Sequence, residues 1–474
     1  MGSRSRPEAR GWAMAADGGR IAALEAQLDA FDPDARGEAL AALTGMARAG
    51  LIAAPPAGEE TNVHSHTFFS YNAYGYSPSG FVWRAWRRGL AVAGTVDFDV
   101  LHGLEETLQA GQTLGVRTAS GLETRVFIPE LRDKEINSPK EPGVWYFVGA
   151  AFPRVPPAES PAGAVLARMH ALAQERNRGM IARINAYLGK VAIDYERDVM
   201  PLTPSGNPTE RHLLSAYDRQ ARALLGGGAA AFWGEALRIG EERARALLAD
   251  PPRLHEAMRS ALMKAGSPGY AAPEAGAFPT LKEAAAMVKA AEGLPAAAWL
   301  DGTSAGEADI DALLDFLLGE GIVAVNIIPE RNWNISDPDA RALKARKLRE
   351  CVEACRARAM PVVAGTEMNK HGQPFVDNFA VDELAPFGHD FLSGALTLHG
   401  HTVLARSGPW SYGGAWAVDT FGSAAGADGR RRRNEFYRAV GAAGPLPAVR
   451  CARLAAIKAD AAPRALLEAV GREN

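Results

Sequence analysis

Cysteine is scarce: 474 residues hold only Cys351, Cys355 and Cys451. Three thiols cannot form a disulfide framework. Cys351 and Cys355 lie four apart in a helical pattern with no further thiolate motif, so a zinc knuckle is excluded as well. A reducing compartment, the cytoplasm, is expected. Long apolar runs are also missing, since no stretch approaches the roughly twenty residues of a membrane helix. The N-terminal segment carries Arg4, Arg6, Arg10 and Arg20 without an apolar stretch, which is not the pattern of a secretory signal. Nor does charge of either sign dominate. With 52 basic and 55 acidic residues the formal net charge is -3, which gives no whole-chain signature for nucleic acid or an anionic membrane. The one strongly basic run, Arg430 to Arg433, reads as a solvated helix face. What is present is ordinary for a globular chain, 47% hydrophobic and 23% charged, so a large core is assured. The expected partner is a small molecule, and the oligomeric state is not legible.

Along the chain, residues 1–19 read as disordered and 20–58 as Ala/Leu-rich helices ending in the linker Ala53-Ala54-Pro55-Pro56. A strand at 61–66 then opens a regular alternation. Helix 78–89, strand 90–95, helix 101–114 and strand 116–126 follow in turn, and Val144–Phe152 is apolar throughout. From 156 to 275 only helical patterns occur, broken by Gly226-Gly227-Gly228, which reads as an insertion that caps the sheet or shapes a pocket. Alternation resumes with strands near 296–301, 322–328 and 360–365. Strands separated by helices imply right-handed crossovers and a sheet of about seven parallel strands, closed or nearly so. The alternating unit therefore spans 59–155 and 276–395. A helical extension follows over 396–474, with Trp410, Trp416 and Phe421 expected to pack it against the body.

The chemistry gathers at the strand ends. In Asn62-Val63-His64-Ser65-His66-Thr67 the two imidazoles lie two apart, so on a strand they project to one side. Glu123 ends one apolar strand and Glu367 another, where an ionised carboxylate is costly unless it is paired or bound to a cation. Two imidazoles and two carboxylates form a donor set for one divalent ion with a position left for water. Asp97, Asp99 and His371 are the candidate acids and bases, and Arg125, Arg331, Asn332 and Asn369 the candidate contacts for an anionic substrate group. His102 follows the second strand closely but heads a helix. His399 and His401 repeat the His-x-His spacing without a strand or a nearby acid, so a surface or supporting position is expected for them. Tyr71, Tyr74 and Tyr76 line a pocket wall or pack the sheet mouth.

These segments resemble the motifs of the polymerase-and-histidinol-phosphatase (PHP) family. His64-Ser65-His66-Thr67 with Ser70 is similar to the first motif, Val96-Asp97-Phe98-Asp99 to the second, Gly121-Leu122-Glu123 to the third and Gly365-Thr366-Glu367-Met368-Asn369 to the last. The resemblance covers about 60–150 and 295–380. It implies an α/β fold, a distorted (β/α)7 barrel here carrying a helical insertion and helical N- and C-terminal extensions. It also implies one to three divalent ions (zinc, manganese or iron) and hydrolysis of phosphate esters. The sequence departs from the family pattern where Phe98 replaces a histidine, where Glu367 and Asn369 replace an aspartate and a histidine, and in Trp145-Tyr146-Phe147-Val148-Gly149, which lacks the usual fourth-strand histidine. The retained set, His64, His66, Glu123 and Glu367, resembles the first metal position. Either one ion is bound, or Asp97, Asp99, His371 or Asn369 completes further positions. The expected activity is a metal-dependent phosphoesterase acting on a small phosphorylated metabolite. A single-metal lyase or hydrolase of a non-phosphate substrate, and a catalytically silent binding barrel, are the alternatives.

Overall fold

The structure is a computed structural model that describes residues 18–273, 276–423 and 426–471. The disorder expected over 1–19 thus falls almost wholly outside the described residues, and 18–27 is helical. Seven strands form one sheet in sequence order: β1 Thr61–Ser65, β2 Val92–Phe98, β3 Arg117–Phe127, β4 Val144–Ala150, β5 Leu294–Trp299, β6 Ala324–Ile327 and β7 Val362–Ala364. The edges meet through a parallel bridge between Ser65 and Glu367, so the sheet is a nearly closed barrel. Gly365 makes the meeting possible, because a Cβ there would stand 2.3 Å from the Cβ of His64.

The crossover helices follow from their ends. Ser77 accepts a hydrogen bond from Gly80 N to start Pro78–Arg88, and left-handed Gly89 stops it. Leu104–Leu114 ends on left-handed Gly115 in the same way. Such a helix returns the chain to the far edge of its strand, so β1, β2 and β3 are parallel, as are β5, β6 and β7.

One strand runs against expectation. β4 is antiparallel to both β3 and β5, with Phe127 paired to Val144 and Ala150 to Leu294. Only the short turn Pro129–Leu131 lies between β3 and β4, so no helix carries the chain back and the strand returns as the arm of a hairpin. Its apolar sequence reads alike in either direction, because both of its faces are covered.

The C-terminal helices close the barrel at the amino ends of the parallel strands. Gly388–Ser407 packs beside Ala427–Ala443, and Arg117, the first residue of β3, donates from Nε to Gly441 O at 2.9 Å. His399 and His401 are therefore not at the surface. Both are buried in this helix, His399 Nδ1 beside Thr118 O (2.9 Å) and His401 Nε2 beside Glu292 O (2.9 Å). The arginine run is likewise only partly solvated: Arg430 and Arg433 are buried. The Arg433 guanidinium donates to the carbonyls of Tyr412, Ala417 and Gly422, tying together the two ends of the helix Ala415–Phe421. Trp410 and Phe421 share a core with Val63, Val96 and Val148 of the barrel, and Trp416 packs against it.

At the opposite end lies the insertion, made of helices Pro161–Leu188, Glu210–Leu225, Ala229–Ala236, Glu241–Leu248 and Pro251–Leu262. It has its own apolar centre, including Ile184, Leu214, Tyr217, Trp233 and Leu254. Asn207 ties it to the barrel mouth by donating to Phe69 O (3.0 Å) and Phe98 O (2.9 Å). No helix among the described residues is long and apolar enough to cross a membrane.

Candidate metal centre

β1 and β3 bring His64, His66 and Glu123 together inside the mouth. All three are buried. Glu123 Oε2 lies 3.7 Å from His64 Nε2 and 3.3 Å from His66 Nε2. Donors held about 2.1 Å from a tetrahedral ion stand roughly 3.4 Å from one another, so the spacing fits. Both Nε2 atoms are buried without a hydrogen-bond partner. An orphaned buried nitrogen is costly, and a bound cation removes the cost.

The other ring nitrogens fix which way the imidazoles present themselves. His64 Nδ1 lies 2.7 Å from Asn326 Oδ1 on β6, which accepts only, so Nδ1 carries the proton and Nε2 keeps its lone pair. His66 Nδ1 lies 3.0 Å from Ser70 Oγ, whose own proton goes to Asp97 Oδ1 at 2.6 Å. A carboxylate–hydroxyl–imidazole relay therefore orients His66, the kind of support that metal-binding histidines receive. Burial by itself would raise the pKa of Glu123. The neighbouring imidazoles of His64 and His66 outweigh it and hold the carboxyl well below the usual range.

Asp97, expected as an acid or base, is buried beside the loop after β1. Besides Ser70, it accepts from Thr67 N (2.8 Å) and Thr67 Oγ1 (2.7 Å), so both of its oxygens are spent on the loop after β1. Asp99 follows β2 in the left-handed region, with φ of 60°, and accepts from Thr124 Oγ1 at 2.6 Å. Burial raises its pKa, against the opposing effects of Arg176 and the Thr124 hydrogen bond. Glu367 sits at φ 59° beside the centre, but its Oε1 is taken by the Arg331 guanidinium. The charges of Glu123, His64 and His66 all act on it, which places it within electrostatic reach of the three donors.

His371 is not brought to the centre; it is exposed, edge-on to Tyr74 with ring centroids 5.7 Å apart. Asn332 is buried, with its Nδ2 directed to Lys344 O at 3.4 Å, away from the donors, and Asn369 is half-buried in the loop after β7. His102 is exposed and meets Ser205 Oγ of the insertion at 2.8 Å. Tyr71 packs edge-on to His212, while Tyr74 and Tyr76 stack on each other. Phe98 lies over the imidazole of His66 with ring centroids 4.2 Å apart, so the face where the family pattern has a histidine is closed by a hydrocarbon ring. Arg125, two residues beyond Glu123 on the same side of β3, ion-pairs with Glu141 at 3.2 Å.

Sequence reasoning missed Asn326, Tyr146 and Arg176. A lone asparagine inside the apolar run Val323–Ile328 was a signal for the first. Tyr146 stands opposite Arg125 in the β3–β4 register, visible only once β4 is known to be antiparallel. Arg176 lies in a long Arg-rich helix that marks no position.

Searches with family models and against curated protein sequences return no match. Among solved structures the chain is similar to an amidohydrolase from Chromobacterium violaceum, determined with bound sulfate and no metal; the TM-score is 0.46 at 16% identity over 71% of this chain and 96% of that one. It is also similar to a provisionally named metal-dependent phosphoesterase from Bifidobacterium adolescentis, with a TM-score of 0.43 at 18% identity over 70% of this chain and 97% of that one.

Proposed function

We propose that this protein is a metal-dependent hydrolase centred on His64, His66 and Glu123, acting on a small phosphate ester. The observation that carries the reading is the pair of buried, partnerless Nε2 atoms converging on one carboxylate oxygen. Two imidazoles and a carboxylate suit zinc, manganese or iron, and leave room for water and substrate. Such an ion, when bound, supplies a Lewis acid and an activated water. Asn326 and the Ser70–Asp97 relay keep the imidazoles in register. Arg331 faces Glu123 and Glu367 across the mouth, where it would hold an anionic substrate oxygen, and Asp99 is the carboxyl available to move a proton. The insertion is held at the mouth by Asn207.

A second reading, single-metal hydrolysis or lysis of a non-phosphate substrate, is favoured by one observation. Phe98 over His66, with Glu367 tied to Arg331, leaves a single three-donor set among the described residues.

Metal content by mass spectrometry, on protein purified without chelator, tests the centre together with turnover of 4-nitrophenyl phosphate in added manganese or zinc. About one equivalent of metal is expected. Both metal and turnover should vanish in the His64→Ala/His66→Ala variant. Turnover that survives in that variant would refute the assignment, and bound metal without phosphatase activity would transfer support to the second reading.

A further inference from the structure

Arg125 on β3 and Arg176 on the insertion helix Pro161–Leu188 converge on one aromatic ring. Their guanidinium carbons lie 4.5 Å and 4.6 Å from the centroid of Phe278. Few of their donors are used. Among the described residues Arg125 makes one hydrogen bond, to Glu141, and Arg176 makes one, to Ala277 O at 2.7 Å. A guanidinium carries five N–H donors, so most remain free on each. The nearest carboxylates do not absorb them. Glu141 is already held by Ser138 Oγ at 2.6 Å and Tyr270 at 3.4 Å, and Asp99 approaches Arg176 only to 3.9 Å, beyond hydrogen-bond range. Both arginine side chains are about a quarter exposed, and the pKa of Arg176 is lowered to about 10, first by burial and then, among its neighbours, by Arg125, against the larger pull of Asp99. An anion within reach of both would use the idle donors.

We infer that Arg125 and Arg176, braced on Phe278, form a subsite for a second anionic group, so that the substrate is a small phosphate ester bearing a remote carboxylate or second phosphate. Arg125 is two residues along β3 from Glu123, a backbone separation of roughly 7 Å on one side of the strand. That is the span of a short bifunctional metabolite. One half of the clamp belongs to the barrel and the other to the insertion, so the subsite exists only with the insertion seated. The inference rests on the hydrolase reading for where the ester sits, and its test does not require turnover.

The probes are 3-phosphonopropionate, with two anionic ends, and ethylphosphonate, with one, titrated calorimetrically into the metal-loaded full-length protein. The wild type should bind the first at least about tenfold more tightly, an increment that one guanidinium–anion contact supplies. In Arg176→Met the preference should fall to near unity with ethylphosphonate binding unchanged, and Arg125→Gln should behave alike. Arg176→Lys, which keeps the charge without the fork, should recover part of it. A wild type with no preference, or an Arg176→Met variant that retains it, overturns the subsite. If phosphate esters are turned over but no preference is found, the subsite falls and the hydrolase stands. A preference without any turnover reverses that outcome.

Discussion

Acidification should loosen this barrel from its closed end, and His401 shows by how much. The side chain is fully buried in the helix Gly388–Ser407. Its Nε2 donates to Glu292 O at 2.9 Å, and its Nδ1 accepts from Tyr412 N at 3.0 Å. That pair of bonds fits only the neutral ring, since a second proton would set the Nδ1 hydrogen against the Tyr412 N–H. Burial lowers its pKa from 6.5 to about 4. An imidazole with a depressed folded pKa is protonated first in the unfolded chain. Its contribution is therefore complete above about pH 6.5 and is lost as the pH falls toward 4. At about 1.4 kcal/mol per unit the whole loss is about 3 kcal/mol. His399, also pushed down to about 4 by burial with Arg117 nearby, adds a comparable amount. Urea unfolding at pH 7, 6, 5 and 4.5 measures this directly, with His401→Gln as the comparison. The variant starts less stable at pH 7, but its stability should fall less steeply on acidification, by about 1.4 kcal/mol per unit. Parallel slopes for the two proteins would refute the reasoning, because a non-titrating residue at 401 cannot share the wild-type proton uptake.

Three further outcomes follow from contacts already described. Ser70→Ala breaks the relay between Asp97 and His66 and should weaken metal affinity about tenfold in a chelator competition; unchanged affinity would mean the relay does not orient the ring. Gly365→Ala drives a methyl into the His64 backbone and side chain, so it should cost about 3 kcal/mol or prevent soluble expression, and a wild-type melting temperature would show that the strands can part freely. Arg433→Met removes three hydrogen bonds to carbonyls around Ala415–Phe421 and should cost about 3 kcal/mol in denaturant unfolding, whereas a change below roughly 0.5 kcal/mol would show water replacing the guanidinium.

The barrel was legible because its strands are apolar runs punctuated by caps: Ser77 and Gly89, or Gly115, announce their helices from chemistry local to a few residues. The direction of β4 was not, since an apolar strand covered on both faces carries no orientation, and only the missing crossover helix after Phe127 decides it. At the site, His-x-His and the isolated Glu123 identified the three converging donors, because buried charge in an apolar run is rare enough to be informative. The role of Asp97 was hidden. A strand-end aspartate reads the same whether it faces a substrate or braces a loop, and the difference lies in the hydroxyls of Thr67 and Ser70, some thirty residues earlier. His399 and His401 misled for the opposite reason: imidazoles that satisfy backbone groups inside a helical core leave no trace in spacing alone.

The joint between β1 and β7 also ties the candidate centre to closure of the barrel. It consists of little more than His66 N to Glu367 O at 2.7 Å, Glu367 N to His64 O at 2.8 Å and Thr366 N to His64 O at 3.1 Å, reinforced by Asn62 reaching Thr366 across 304 residues of chain. Contacts between segments so distant in sequence are the slowest for a folding chain to make. His64 and His66 are part of this joint, so the docked last strand helps to hold them. A chain without the last strand would lose the clasp and one support of the two imidazoles together.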